Sequence, residues 1–334
     1  MTVANMELEL PTTPHHLGGL PVEHRRAMRQ NRGDRVFFGG LTLIALVAPA
    51  MILLFIVVLL DGAWPSIREF GLSFITSSVW EPNPDKEQYG ALPFILGTLV
   101  SSILALMIAA PVGISVATFI NEVLPRKLKG VVRFVIEILA TVPSVVYGLW
   151  GIFVLAPFVM NHNVPALRAL FGWTPFFREP VDPRNMLCAV LILAIMVVPM
   201  IVSVSLDAVR AVPSTYREAA LGLGATRWEM IRMAVWPPAR SGFIGACILA
   251  LGRALGETMA VTMVIGNGRR IAMSLLAASD TVASTIANQF AEAPSDLFAA
   301  ALIEMALLLF LVTLTLNIVA RVIVRKHVAS GGAS

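Results

Sequence analysis

Charge is what this 334-residue chain has least of: lysine, arginine, aspartate and glutamate together make up 14% of it, against roughly 25% in an ordinary soluble domain. That scarcity excludes a water-soluble globule with a normal surface. Cysteine is almost absent, and its two copies, Cys188 and Cys247, both stand inside apolar runs. A disulfide framework and a Cys-x-x-Cys metal pair are therefore excluded, and both thiols are expected to pack as small hydrophobes. His15 and His16 adjoin each other in a polar stretch and make no metal site. Missing too are a GxxxxGK[ST] phosphate loop, an HExxH zinc helix and a GxSxG nucleophile elbow. The chain thus carries no means of hydrolysing ATP, no catalytic residues and no metal ligands. If it uses energy, a partner supplies it.

What is present is apolar. Hydrophobic residues make up 57% of the chain, in six runs near or above the ~20 residues that cross a bilayer. They lie at about 37–60, 92–120, 134–160, 186–205, 242–265 and 297–320. The expected fold class is an all-α integral membrane protein with six transmembrane helices. Pro143 and Gly148 are expected to bend the third span. Thr141 and Ser144 could satisfy the freed backbone groups there or touch a passing anion, and the backbone role is favoured. The run at 37–60 is too long for a signal-peptide core and is read as an uncleaved span. Residues 1–35, rich in Pro, His, Gly, Glu and Arg, are expected to form a mobile cytoplasmic tail, and 326–334 a second cytoplasmic tail.

Basic residues set the orientation. One side carries 17: Arg25, Arg26, Arg29, Arg32 and Arg35; Arg126, Lys127, Lys129 and Arg133; Arg210, Arg217, Arg227, Arg232 and Arg240; Arg321, Arg325 and Lys326. The alternate loops carry seven: Arg68, Lys86, Arg168, Arg178, Arg184, Arg269 and Arg270. Both termini and the loop 206–241 are therefore expected in the cytoplasm. Positive-inside sorting accounts for the net charge of +4 without a nucleic-acid partner. Trp64, Trp80 and Trp173 in the outer loops are candidate interfacial anchors.

The loop 206–241 is too ordered for a simple connector. Ser214 can cap a helix that begins near Thr215, and Glu218, Ala219, Ala220 and Leu221 favour it. Gly222 and Gly224 are expected to end it with a positive-φ turn. A second helical stretch, 226–236, places Trp228, Ile231 and Val235 on one face, and Pro237-Pro238 is expected to stop it before the fifth span. By physics alone this could be an amphipathic connector on lipid headgroups. The pattern adds more. Glu218-Ala219-Ala220, three residues, Gly224, nine residues and an apolar ending at Pro237 resemble the EAA loop of ABC-importer permeases. Ala234 and Trp236 depart from the family's isoleucine and leucine but stay apolar. The resemblance implies a coupling helix seated in a groove of a cytoplasmic ATPase.

The fifth run carries Arg253, roughly 16 Å along a helix that begins at Gly242, close to the bilayer midplane. Glu257 lies four residues on, within reach if the helix continues. Ala246, Ala250 and Ala260 leave room on that face, and Gly252 and Gly256 suit a close helix contact. The pair could simply lock two helices in register. The functional alternative is an anion site, since a guanidinium presents planar donors that match phosphate or carboxylate oxygens, with Glu257 balancing it between transport events. Glu304 in the sixth span could pair with an arginine or line the route. Glu137 in the third is read as an interfacial or paired carboxylate.

The stretches Gly222–Glu229 and Gly252–Val264, with Thr141-Val-Pro-Ser-Val-Val-Tyr-Gly148 and Thr285–Glu292, are similar to the C-type (PstC-like) permease family of phosphate ABC importers over roughly 90–325. This resemblance implies a type I ABC-importer permease fold, with a first helix and outer loop over 36–91 and a permease core over 92–325. It implies a pathway at Arg253, Glu257, Thr258 and Glu304, and ATPase coupling through Glu218, Ala219, Ala220, Gly224 and Pro237. It also implies a heterodimer with a related sister permease, two cytoplasmic ATPase subunits that bind ATP and Mg, an extracytoplasmic phosphate-binding protein and a multi-pass location in a bacterial inner (plasma) membrane among its lipids. Sulfate or molybdate as cargo stays open by physics alone. An ATP-independent carrier would have no use for the 218–237 pattern.

Overall fold

A computed structural model describes residues 32–83 and 87–331, with side chains over 37–83 and 87–322. The tail through residue 31, with His15, His16, Arg25, Arg26 and Arg29, lies outside the described residues, as do Lys86 and the side chains of Arg32, Arg35, Arg325 and Lys326. The chain divides into two units, meeting between Val57 and Val58. The described part of the first is the opening of helix α1 (Arg32–Phe70), whose side chains from Phe37 to Phe55 are exposed.

The second unit contains the remainder of α1, the short helix α2 (Ser73–Thr76), a two-stranded hairpin pairing β1 (Trp80–Glu81) with β2 (Gln88–Tyr89), and then a helical array. Among the described residues six helices are long and apolar enough to cross a membrane: α1 over Phe37–Phe70, α3 (Leu92–Glu122), α5 (Ser144–Phe171), α6 (Met186–Arg210), α8 (Arg227–Leu255) and α11 (Asp296–Gly331) over Asp296–Val322. The shorter helices are α4 (Arg126–Thr141), α7 (Ser214–Gly222), α9 (Met259–Val264) and α10 (Val282–Gln289).

Two of the six spans differ from the sequence expectation, each at a backbone break. The third was expected over 134–160 but runs over Ser144–Phe171. Pro143 does not bend a continuous helix; it separates two. The residue before a proline is driven out of helical geometry, and Val142 is extended at φ −62°, ψ 129°. Residues 134–141 therefore belong to the separate helix α4, which buries none of its side chains completely. The fifth span was expected over 242–265 but runs over Arg227–Leu255 and ends at Gly256. Pro237 and Pro238 do not stop it. Their missing N–H groups would orphan the carbonyls of Met233 and Ala234, and the helix widens into a π turn over Ile231–Val235, where these carbonyls lie.

The core is built where α3, α6 and α8 meet, with α5 and α9 at its edge. Backbones approach closely at small residues. A Cβ on Gly113 of α3 would lie 2.6 Å from Ile201 Cγ2 of α6, and one on Gly148 of α5 would lie 2.5 Å from Met263 Sδ. Gly148 is thus a packing glycine rather than a bend. Cys188 is fully buried in this core, as expected of a packing residue. Trp80 is no interfacial anchor. It is buried in a second cluster with Phe74, Tyr89, Phe94 and Phe298, its ring centroid 5.0 Å from Tyr89 and 5.1 Å from Phe94. Its indole N–H donates to Gln289 Oε1 at 3.0 Å. Trp64 and Trp173 remain exposed.

Candidate functional site: the 214–237 segment and Arg253

The segment 214–237 folds as a short helix, a sharp turn and the opening of α8. Helix α7 follows Pro213, which takes the cap position, so Ser214 is its first helical residue and not its cap. Gly224 ends the segment's first half at φ +88°, a conformation that glycine adopts without a Cβ penalty. Thr226 then caps α8 reciprocally: Glu229 N–H donates to Thr226 Oγ1 at 3.3 Å, and Thr226 N–H donates to Glu229 Oε2 at 2.8 Å.

Within this segment Glu218, Ala219, Gly224 and Pro237 are exposed and Ala220 is half-buried. The buried stripe is Met230, Ile231, Ala234 and Val235. Trp228, expected on one face with Ile231 and Val235, points outward, as do Tyr216, Leu221, Met233 and Leu223, the last 91% exposed. Apolar side chains at that exposure take no part in the chain's own core. Sequence reasoning missed what anchors α7. Arg217, counted only as a topological charge, donates to both carboxylate oxygens of Glu122 and to three backbone carbonyls, with its side chain 18% exposed and that of Glu122 6%. The partners lie 95 residues apart, so no local pattern announces them.

At the other end of α8, the expected Arg253–Glu257 pair does not form. Arg253 occupies the last turn of the helix, and among the described residues it has no ion pair within 4.0 Å. The helix stops at Leu255, and Gly256 caps it at φ −94°, ψ 1°. Glu257 lies beyond the break, where its Oε1 accepts the Ala260 N–H at 3.3 Å, and Thr258 Oγ1 donates to Gly256 O at 3.3 Å. The alanines expected to leave room beside the charges do the reverse: Ala246, Ala250 and Ala260 are buried in the core. One step round the helix, Arg253 is exposed. Among the described residues Gly252 and Gly256 meet no other helix closely.

Among the described residues Glu304 forms no ion pair with an arginine within 4.0 Å. It is buried, and its Oε2 accepts the Ser66 hydroxyl of α1 at 2.6 Å. The site residues thus separate: Arg253, Glu257 and Thr258 gather at the helix break, while Glu304 stands apart with Ser66. Glu137 pairs with Arg133 at 2.6 Å on α4, which keeps the paired reading and moves it out of the span. Thr141 Oγ1 donates to Ile138 O at 2.8 Å, the backbone role expected of it.

Residues 109–328 match the family model described as "binding-protein-dependent transport system inner membrane component". A "phosphate transport system permease protein PstC" of Mesorhizobium japonicum is 43% identical over 82% of this chain and 85% of its own length. One of Haemophilus influenzae is 39% identical over 90% and 96%, and one of Mycobacterium tuberculosis, named PstC 1, is 40% identical over 79% and 85%. Among solved structures, a bacterial alginate ABC transporter in complex with a pentasaccharide-bound periplasmic protein aligns at a TM-score of 0.57, with 18% identity over 89% of this chain and 98% of that one. At that identity the likeness is one of fold.

Proposed function

The chain belongs to the family of binding-protein-dependent transport system inner membrane components, and we infer from that membership that it is the permease subunit of an ATP-driven phosphate importer. The observation that carries the cargo is the match, along most of the chain, to relatives named as phosphate transport permeases. The chain is a multi-pass membrane protein and the non-catalytic part of its transporter. In this reading it forms half of an alternating-access pathway with a related sister permease. An extracytoplasmic binding protein delivers phosphate to the outer loops, and two cytoplasmic ATPases drive the cycle.

The chemistry at the helix break fits that role. Arg253 presents a guanidinium whose planar donors suit phosphate oxygens, and no carboxylate of the described residues occupies it. Gly256 opens the backbone beside it, where Thr258 offers a hydroxyl. Glu257 stays near enough to oppose a resident anion and favour its release. On the cytoplasmic side, the exposed apolar residues around Leu223 and Met233 suit the groove of an ATPase, with Glu218, Ala219, Ala220, Gly224 and Pro237 in the coupling pattern. The basic-residue count supports both termini on that same side.

Initial rates of radiolabelled phosphate and sulfate uptake, in cells that make the chain with its partners in place of their own phosphate importer, test this. Phosphate uptake that is abolished when the partner ATPase is inactivated is the expected result. Sulfate uptake without phosphate uptake, or phosphate uptake indifferent to the ATPase, would overturn the reading.

A further inference from the structure

Ala220 packs α7 against the buried residues of α6 and α8, and Arg217 ties it to the spans by hydrogen bonds. Its Nε donates to Glu122 Oε1 and Oε2 at 3.1 and 3.2 Å, and its Nη2 donates to Glu122 Oε1 at 2.9 Å. The other contacts go to carbonyls: Nη2 to Val209 O at 2.9 Å, and Nη1 to Val212 O at 2.7 Å and Pro213 O at 3.5 Å. Glu122 is the last residue of α3, and Val209 lies in the last turn of α6. One side chain on the exposed helix α7 is therefore fastened to the cytoplasmic ends of two spans at once.

A joint of this kind is stiff. Each guanidinium nitrogen has an acceptor and both carboxylate oxygens have a donor, so the pair has no looser arrangement that satisfies it equally. Separating the partners would leave a mostly buried charge alone, which is costly. The other exit from α7, through the positive-φ turn at Gly224, is a glycine turn with open space around it. The helices that Arg217 joins are also those packed most closely on each other and on α8, which carries Arg253.

Building on the reading of the chain as an ATPase-driven permease, we propose that the Arg217–Glu122 pair is the transmission joint that converts displacement of α7 into movement of α3 and α6. Neither residue touches the cargo; both act by position. Without the pair, an ATPase seated on α7 still closes and hydrolyses ATP, but the spans do not follow.

The test uses the full complex of this chain with its sister permease, ATPase and phosphate-binding protein in proteoliposomes, reading ATP hydrolysed per phosphate imported. For Glu122→Gln and Arg217→Lys the ratio should rise about tenfold, within the usual range of coupling between linked sites. ATP hydrolysis itself should stay within about twofold, and Glu122→Ala with Arg217→Ala together should be no worse than either alone. A purely structural role would lower hydrolysis and import together and leave the ratio unchanged, and that result would overturn the proposal. Should a substitution prevent assembly, Glu122→Cys with Arg217→Cys, bridged by a short bismaleimide, replaces the ion pair by a covalent tie and should restore the ratio. Failure of an assembled, bridged complex to do so would also overturn it. If the unaltered complex imports no phosphate on ATP, the transport reading itself falls, and the joint with it.

Discussion

Arg253 and Glu257 stand on opposite sides of a helix break, the arginine in the last turn of α8 and the glutamate capping the start of α9 through the Ala260 N–H. Four residues apart in a continuous helix, they would have faced each other. Gly256 prevents that by ending the helix between them. The consequence is an arginine in the last turn of α8 whose donors are not consumed by the nearest acid.

Arg253 and Glu257 should therefore behave as separate residues under substitution. Arg253→Ala is expected to reduce phosphate uptake by roughly 10- to 100-fold, the loss of charged hydrogen bonds to an anion, and Arg253→Lys to recover only part of it. Glu257→Gln keeps the acceptor for Ala260 and should cost far less. The double substitution should show the sum of the two effects, measured as initial uptake rates. A strong non-additivity would mean that the two side chains pair during the cycle.

Gly97→Ala should be severely destabilising. A Cβ there would lie 1.9 Å from the carbonyl oxygen of Asp280, which is backbone and cannot turn away, so α3 must move from the segment preceding α10. Gly130→Ala on α4 meets nothing within 4 Å and should be neutral or stabilising by about 0.5–1 kcal/mol. Thermal unfolding of the detergent-solubilised chain distinguishes the two.

Asp280 supplies a pH dependence. Burial raises its carboxyl above the ordinary 3.8, although the Ser284 and Thr285 hydroxyls, the Thr281 N–H and the charge of Arg269 pull it back. A carboxyl raised in the folded state binds protons more tightly there than when unfolded. Its contribution to stability is therefore full below about pH 3.8 and is lost as pH rises through the folded value. Asp280→Asn keeps an acceptor for the Thr281 N–H, which Asp280 Oδ1 now takes at 2.8 Å. It should raise the unfolding temperature at neutral pH and flatten its dependence on pH. A variant with the same pH slope as the unaltered chain would assign that slope to other groups.

Trp80→Ala should cost about 3–5 kcal/mol, because the ring is 5% exposed and contacts Tyr89, Phe94 and Phe298. Trp80→Phe should recover most of the packing while losing the hydrogen bond to Gln289. Unfolding midpoints report both effects, and equal losses for the two variants would show that the hydrogen bond dominates.

Much of the architecture was legible because bilayer crossing is a property of local composition. Runs such as 92–120 and 186–205 have no alternative to a buried or lipid-facing helix, so α3 and α6 lie where they were expected. The glycine turn at Gly224 was legible for a similar reason, since a positive φ is a local demand. Boundaries failed where the backbone decides against hydropathy. Pro143 splits an apolar stretch that reads as continuous, and Gly256 ends α8 within one. Pro237 and Pro238 failed in the opposite sense, because a π turn removed the conflict that would have ended the helix.

Partners of polar residues were the least legible. Arg217 with Glu122, and Ser66 with Glu304, join residues 95 and 238 positions apart, and no periodicity relates them. The six apolar runs, the asymmetry of basic charge and the ordered loop before the fifth span are set by the sequence itself, because lipid and water act on each segment separately. Which side chains face each other, which acid is taken by a serine, and that no acid among the described residues pairs with Arg253 are tertiary decisions. They depend on how helices far apart in the chain are brought side by side, and on where a glycine or a proline lets the backbone break.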